Sequence, residues 1–253
     1  VLWVGSGEGR LGKSFAYLGV VAAGLLITDL FTQWRANAPV MPVRKPAREA
    51  AFIVGFCILG YLIMFGRFAW LDWAKLPGLL KLAYLPLFGF VFPVFSAVLL
   101  LIWKYRPRDL GFGWCGSAWV FVPVLALFAG TACSVAPQDL TWKLMLAEEG
   151  IVGMLFTGFI SAALSEEFFR LTLQTRLGAL WNNGIAWFIA AVLWAFLHMP
   201  KVVGDGTPIG MSALGCLYIV PIGLLWGYMT HRTRSIWPAI ICHGLNLWGL
   251  QNI

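Results

Sequence analysis

The sequence predicts an all-α protein, a polytopic transmembrane helical bundle of about eight spans. Three observations predict it. Hydrophobic residues make up 60% of the 253 positions and charged residues only 11%, against about 25% charged in soluble domains. The mean hydropathy is +0.81. The apolar residues are gathered into runs of about 20, the length that crosses a bilayer as a helix. The 14 Trp suit the aromatic belts that form at membrane interfaces. A net charge of +7 could suggest nucleic acid, but the basic residues fall in short loops between apolar runs. There they set orientation and meet anionic lipid, so no nucleic-acid partner is expected. The five cysteines (Cys57, Cys115, Cys133, Cys216, Cys242) lie in apolar segments and form no C-x-x-C pair. Neither a disulfide framework nor a thiolate metal site is expected.

The spans follow in order. The first is 15–34, with Asp29 inside it, and it is long enough to cross, so no cleavable signal peptide is expected. RANAPVMPVRKPARE stops it with three prolines and four basic residues. The second span is 51–70, with Arg67 near its end, and the third is 82–103, interrupted by Pro86 and Pro93. Asp29 and Arg67 read most simply as a buried pair or as interfacial groups. KYRPRD leads to the fourth span, 114–135, and TWKLMLAEE reads as a short surface helix. The fifth span is 151 to about 173, the sixth a short one at 184–198, the seventh 209–229 and the eighth 236–249. Two parts are expected, 1–135 and 136–253, each with four spans. Loops after spans one, three, five and seven hold ten basic residues, among them Arg44, Lys45, Arg48, Lys104, Arg176 and Arg232; the opposite side holds six. The excess favours the first set as cytoplasmic.

The fifth span carries the chemistry. In SAALSEEFFRLTLQTRL, Glu166, Glu167 and Arg170 interrupt an apolar helix. A charge at mid-bilayer costs several kcal/mol, so three such groups within five residues read as functional. At about 100° per residue, Glu166 and Arg170 stand about 40° apart, and Glu167 lies about 60° to the other side of Arg170. One guanidinium can hold either carboxylate ionised in a low-dielectric surround. His198 closes span six in WAFLHMP; His243 lies inside span eight in ICHGLN, with Asn246 at i+3 on nearly the same face. An oriented carboxylate beside a histidine can take a proton from water. A second histidine and an amide can stabilise the oxyanion that forms on a peptide carbonyl.

SEEFFR, WAFLHMP and CHGLN, in that order on successive late helices, resemble the CPBP family of intramembrane glutamic endopeptidases, also called Abi or CAAX-protease type 2. That family trims membrane proteins, prenylated CAAX proteins among them, on a bundle of about eight helices with motifs EExxxR, FxxxH and HxxxN/D. The resemblance covers 151–253 and implies a catalytic core in 136–253 that needs no metal or other cofactor. It implies Glu166 or Glu167 as the activator of water, His198 as its assistant, His243 with Asn246 as the oxyanion site, and Arg170 as the charge partner.

Three departures stand out. The first motif is one residue short, E-E-x-x-R. Without a gap, Glu166 pairs with Arg170 and Ser165 falls in the water position. With a gap, Glu166 faces the water and Glu167 pairs with Arg170, with a tightened turn between them. Trp194 replaces the phenylalanine of the second motif, and Asn246 follows His243 by three residues, leaving Leu247 in the usual amide position.

The expected function is hydrolysis of a peptide bond in a membrane-tethered or lipidated protein, such as a CAAX-like end or a C-terminal sorting signal. The expected location is the bilayer of the bacterial plasma membrane. Two alternatives use the same residues. One is a zinc-dependent membrane protease with a His/His/Glu site, weakened by the lack of H-E-x-x-H. The other is a non-catalytic protease-like scaffold, immunity protein or transporter, although no pairing of broken helices supports a transporter.

Overall fold

The structure, a computed structural model, describes residues 10–33, 41–66, 95–135 and 142–246. Among these residues, regular structure is helical throughout. The helices are α1 (Arg10–Gln33), α2 (Pro46–Phe65), α3 (Phe121–Val135), α4 (Trp142–Leu155), α5 (Ser165–Leu180), α6 (Asn183–Phe196), α7 (Met199–Gly204), α8 (Ile209–Thr233) and α9 (Trp237–Leu245). Two π-helical stretches, Val98–Ile102 and Phe156–Leu164, interrupt the α pattern. Six described segments are long and apolar enough to cross a membrane: Gly12–Gln33, Pro46–Phe65, Gly116–Ser134, Gly150–Leu180, Asn183–Gly204 and Ile209–Thr233.

Of the eight expected spans, the third falls largely outside the described residues, as does Arg67. The eighth is a helix of nine residues within the description, about 13 Å long and short of the roughly 30 Å hydrocarbon core. Other boundaries move for local reasons. The second span begins at Pro46 rather than residue 51, because proline suits the first helical position, where no N–H is needed. The fifth runs to Leu180 rather than Leu173, so Arg176 is a buried helical residue and not a loop cation. The expected surface helix forms the first part of α4. Gly150, at φ 66° and ψ 172°, then breaks it before the next span, and glycine takes that left-handed backbone without penalty.

The described residues cluster into two compact units, each drawing on segments from both sides of residue 135. The first comprises 43–107 and 172–223. In it α2 packs on α7, and Tyr61 Oη reaches Met199 Sδ at 3.4 Å. The N-terminus of α6 is capped by the Asn182 side chain, which accepts from Ile185 N–H at 2.8 Å. Its inner face is a row of buried alanines, Ala186, Ala190, Ala191 and Ala195, small enough for helices to approach closely. Gly223 of α8 lies against the Trp194 ring, where a Cβ would stand 2.7 Å from it.

A buried polar knot ties the loops of this unit. Arg176 Nε donates to Glu49 Oε2 at 2.9 Å, and Tyr105 Oη lies 2.7 and 2.8 Å from the two Glu49 oxygens. Burial, with Glu49 second, pushes the Tyr105 phenol above its ordinary range. Thus the start of α2, the loop after the third span and the second half of α5 meet here.

The second unit comprises residues 3–42, 108–171 and 224–253. Here α1 packs on α3, and α9 packs on the π-helical stretch Phe156–Leu164. Thr28 and Thr32 satisfy their hydroxyls on the carbonyls four residues back, both at 2.7 Å. Asp29 pairs with Arg232 at 3.0 Å and accepts from Tyr228 Oη at 2.9 Å. Arg232 and Tyr228 of α8 are therefore its partners. Gly111, at φ 86°, has Leu171 and Met41 where a Cβ would stand, and its carbonyl accepts from Ile236 N–H at 2.9 Å to set the start of α9.

Candidate active site

Five of the six expected site residues lie together in the second unit. Glu166, Glu167 and Arg170 occupy the first turns of α5, an uninterrupted α-helix from Ser165. No tightened turn separates Glu167 from Arg170. The backbone irregularity lies upstream instead, in the widened turns of Phe156–Leu164. Ser165, the alternative occupant of the water position, turns its hydroxyl to Ile160 O at 3.2 Å, five residues back, as the π-helical winding allows.

Glu167 is fully buried. Its Oε2 accepts from Arg170 Nη2, and the arginine is buried with it. Arg170 therefore pairs with Glu167 at i to i+3. Glu167 Oε1 lies 3.0 Å from His243 Nδ1. The ionised carboxylate can only accept, so Nδ1 carries the hydrogen and donates. This turns His243 Nε2 the other way, where it faces Glu166 Oε2 across 3.7 Å. The Glu166 side chain is 29% exposed, whereas that of Glu167 is not exposed at all. One carboxylate is thus committed to fixed partners and the other remains accessible. Trp226 stacks nearly parallel on the imidazole, with centroids 4.2 Å apart and planes at 15°, which holds the ring plane.

Asn246 is buried at the end of α9, and its Oδ1 has no hydrogen-bond partner among the described residues. It borders a small cavity with Leu125, Phe128, Trp226 and Cys242. Leu247, the other candidate for the amide position, lies outside the described residues. Among the described residues, no group of three His, Cys, Asp or Glu side chains is arranged to hold a metal ion.

His198 belongs to the first unit. It follows α6 in a turn, half-buried, with Nδ1 3.2 Å from Trp194 O and 3.3 Å from Ala195 O. Trp194 also meets its ring edge-on at 5.1 Å. Because carbonyls only accept, Nδ1 bears the hydrogen and a neutral ring carries its lone pair on Nε2.

Residues 148–248 match the family described as type II CAAX prenyl endopeptidase Rce1-like. The chain carries an Rce1-like domain. No curated relative and no solved structure matches the chain. The matched region contains all three motifs, from Glu166 to Asn246, and the family it resembles is that of the type II CAAX prenyl endopeptidases. With six apolar helices able to cross a bilayer, the chain is an integral membrane protein.

Sequence reasoning missed two features of this domain. Trp226 stacks on the candidate histidine from a helix whose sequence, LLWGYM, carries no spacing that links it to ICHGLN. The π-helical stretch was also unread, since FTGFISAAL has the composition of any apolar helix.

Proposed function

We propose that the protein is a glutamic intramembrane endopeptidase that cuts a membrane-tethered or lipidated protein with Glu166 as the base. The observation that carries this reading is the division of labour between the two acids. Glu167 is consumed by Arg170 and His243, while Glu166 is accessible and faces His243 Nε2 across 3.7 Å. A water can hydrogen-bond both atoms across such a gap. Glu166 takes its proton as the oxygen attacks the peptide carbonyl, and returns that proton to the leaving amine. His243, held through its Nδ1–H by Glu167, keeps Nε2 toward the water and the oxyanion, the place its motif implies, and the buried amide of Asn246 donates to the oxyanion. His198 keeps the assisting role that its motif implies, with its lone pair on Nε2.

Substrates of this chemistry present an extended peptide at membrane depth, such as a lipidated C-terminus or a sorting-signal tail, and the bacterial plasma membrane is the proposed location. The test is turnover of a panel of lipidated and transmembrane peptides by the purified protein in liposomes. Glu166→Gln abolishes cleavage yet retains peptide binding, because the isostere keeps the shape and loses the basicity. A dead Glu167→Gln beside a working Glu166→Gln reverses the assignment. Normal cleavage by both removes the glutamic mechanism.

A further inference from the structure

The first unit holds a second organised cluster of charge, apart from any catalytic motif. Two loops, 41–45 and 103–107, are fastened side by side. Arg44 donates from Nη1 to Trp103 O at 2.8 Å and from Nη2 to Lys104 O at 3.2 Å. Its backbone N–H donates to Tyr105 Oη at 2.9 Å. Lys45 N–H donates to Glu49 Oε1 at 2.9 Å, and Glu49 is in turn held by Tyr105 and Arg176. The Glu49 carboxylate is therefore buried and neutralised by a buried arginine.

The charges left outside are all positive. Arg44, Lys45, Arg48, Lys104 and Arg106 are exposed, and 41–48 and 103–107 contain no exposed Asp or Glu. Lys45, Arg48 and Lys104 have no salt-bridge partner among the described residues. Lys104 sits at φ 53°, a left-handed backbone uncommon for a residue with a side chain, and the two hydrogen bonds of Arg44 hold the adjoining carbonyls. The surface is thus preformed by a rigid scaffold.

Its depth follows from what precedes it. Leu101 and Ile102 are 73% and 67% exposed and end the third apolar segment. Trp103 comes next, an aromatic of the kind that marks the interface, with its ring against Phe52 at 5.3 Å. The cations follow directly, and α2 starts among them at Pro46. Acyl-facing residues, an interfacial tryptophan and two cations thus succeed one another over a few residues, and Arg44 fastens its own loop, with Lys45 and Arg48, beside them.

We propose that this surface docks the headgroup phosphate of an anionic phospholipid, whose acyl chains lie along Leu101 and Ile102. The adjoining apolar residues favour a lipid over a soluble anion. The test uses the full-length protein in detergent, titrated with phosphatidylglycerol, phosphatidylcholine or inorganic phosphate, and reads bound lipid by native mass spectrometry. The variant is Lys45→Gln/Arg48→Gln/Lys104→Asn, with asparagine chosen because it tolerates positive φ. Circular dichroism and melting in zwitterionic detergent check that it folds.

The folded variant is expected to lose at least about tenfold in phosphatidylglycerol affinity, since each basic group near an anionic surface contributes appreciably. Phosphatidylcholine retention stays unchanged, and phosphate does not displace the lipid. Equal retention of both lipids by the wild type, or an unaltered affinity in the folded variant, overturns the proposal. Displacement by phosphate at the lipid's own concentration assigns the surface to a free anion instead. If the triple variant does not fold, Arg48→Gln alone decides, with a severalfold loss expected and no loss refuting.

Discussion

Glu167→Gln separates the structural from the chemical role of the acid pair. The substitution keeps size and one acceptor oxygen but removes the charge that Arg170 and His243 share. Hydrogen bonds to charged groups contribute about 1.5–3 kcal/mol and neutral ones about 0.5–1.5. Two weakened bonds therefore cost roughly 2–3 kcal/mol. The ceiling is about 3–5 kcal/mol, the loss expected when a buried ion pair loses one partner, because Arg170 is 1% exposed and cannot turn to water. At about 2–4 °C per kcal/mol for a chain of this size, the melting temperature falls by about 5–15 °C.

The glutamine amide also changes the imidazole. If its oxygen stays on Arg170, its NH₂ meets His243 Nδ1, which must then accept, and the ring hydrogen moves to Nε2. Turnover should fall by about tenfold to a hundredfold through this misorientation, less than the loss on removing the base itself. Thermal melting in detergent and liposome turnover are measured together. Adding Arg170→Met removes the uncompensated cation and should recover part of the stability, because replacing both partners of a buried pair is often close to neutral. A Glu167→Gln protein as stable as the wild type, with no recovery in the double variant, would refute the buried-pair reasoning.

Three further outcomes are expected. Strong chelators leave fold and turnover intact; activity lost with a stoichiometric zinc and restored on its return would favour the zinc reading. His243→Ala and His198→Ala each lower turnover by about 10²–10⁴-fold while inserting and purifying as single species, and failure of both to insert would assign them structural roles. Gly244→Ala places a Cβ 2.5 Å from the Phe159 ring and should cost about 1–3 kcal/mol by overpacking, with turnover reduced because His243 is the next residue; an unchanged melting temperature and rate would show that α9 moves freely.

Much of this fold is legible because hydrophobic runs and their interruptions are one-dimensional signals. Glu166 and Glu167 stand out in an apolar helix whatever surrounds them, and proline and basic loops mark where helices stop. Partnership is not one-dimensional. Asp29 belongs with Arg232 and Glu49 with Arg176, pairs more than a hundred residues apart whose association depends on which helices pack. Arg176 read as a loop cation because the apolar run weakens after Leu173, yet the buried carboxylate of Glu49 supplies the counter-charge that lets the helix continue. The i to i+3 pairing of Glu167 with Arg170 was one of two registers open in the sequence. Helix geometry allows both, and the i to i+3 contact forms where Glu167 is buried beside α9.

The short first motif needs no distortion between its acid and its arginine, so the π-helical stretch answers a different demand. Phe159 and Glu167 both meet α9, the first at Gly244 and the second at His243. In an unbroken α-helix these positions, eight residues apart, would point about 80° away from one another. Bonding from i to i+5 gives about 4.4 residues per turn, or about 82° per residue. Five such steps from Phe159 to Leu164 and three ordinary ones to Glu167 bring the two side chains to within about 10°. The widened turns therefore align the apolar residue that seats α9 with the carboxylate that grips its histidine. The same rotation leaves Glu166, about 100° from Glu167 on the regular helix, on the more exposed side of His243. The irregular backbone thus lies one turn ahead of the chemistry, where it can aim the acids without straining the helix that carries them.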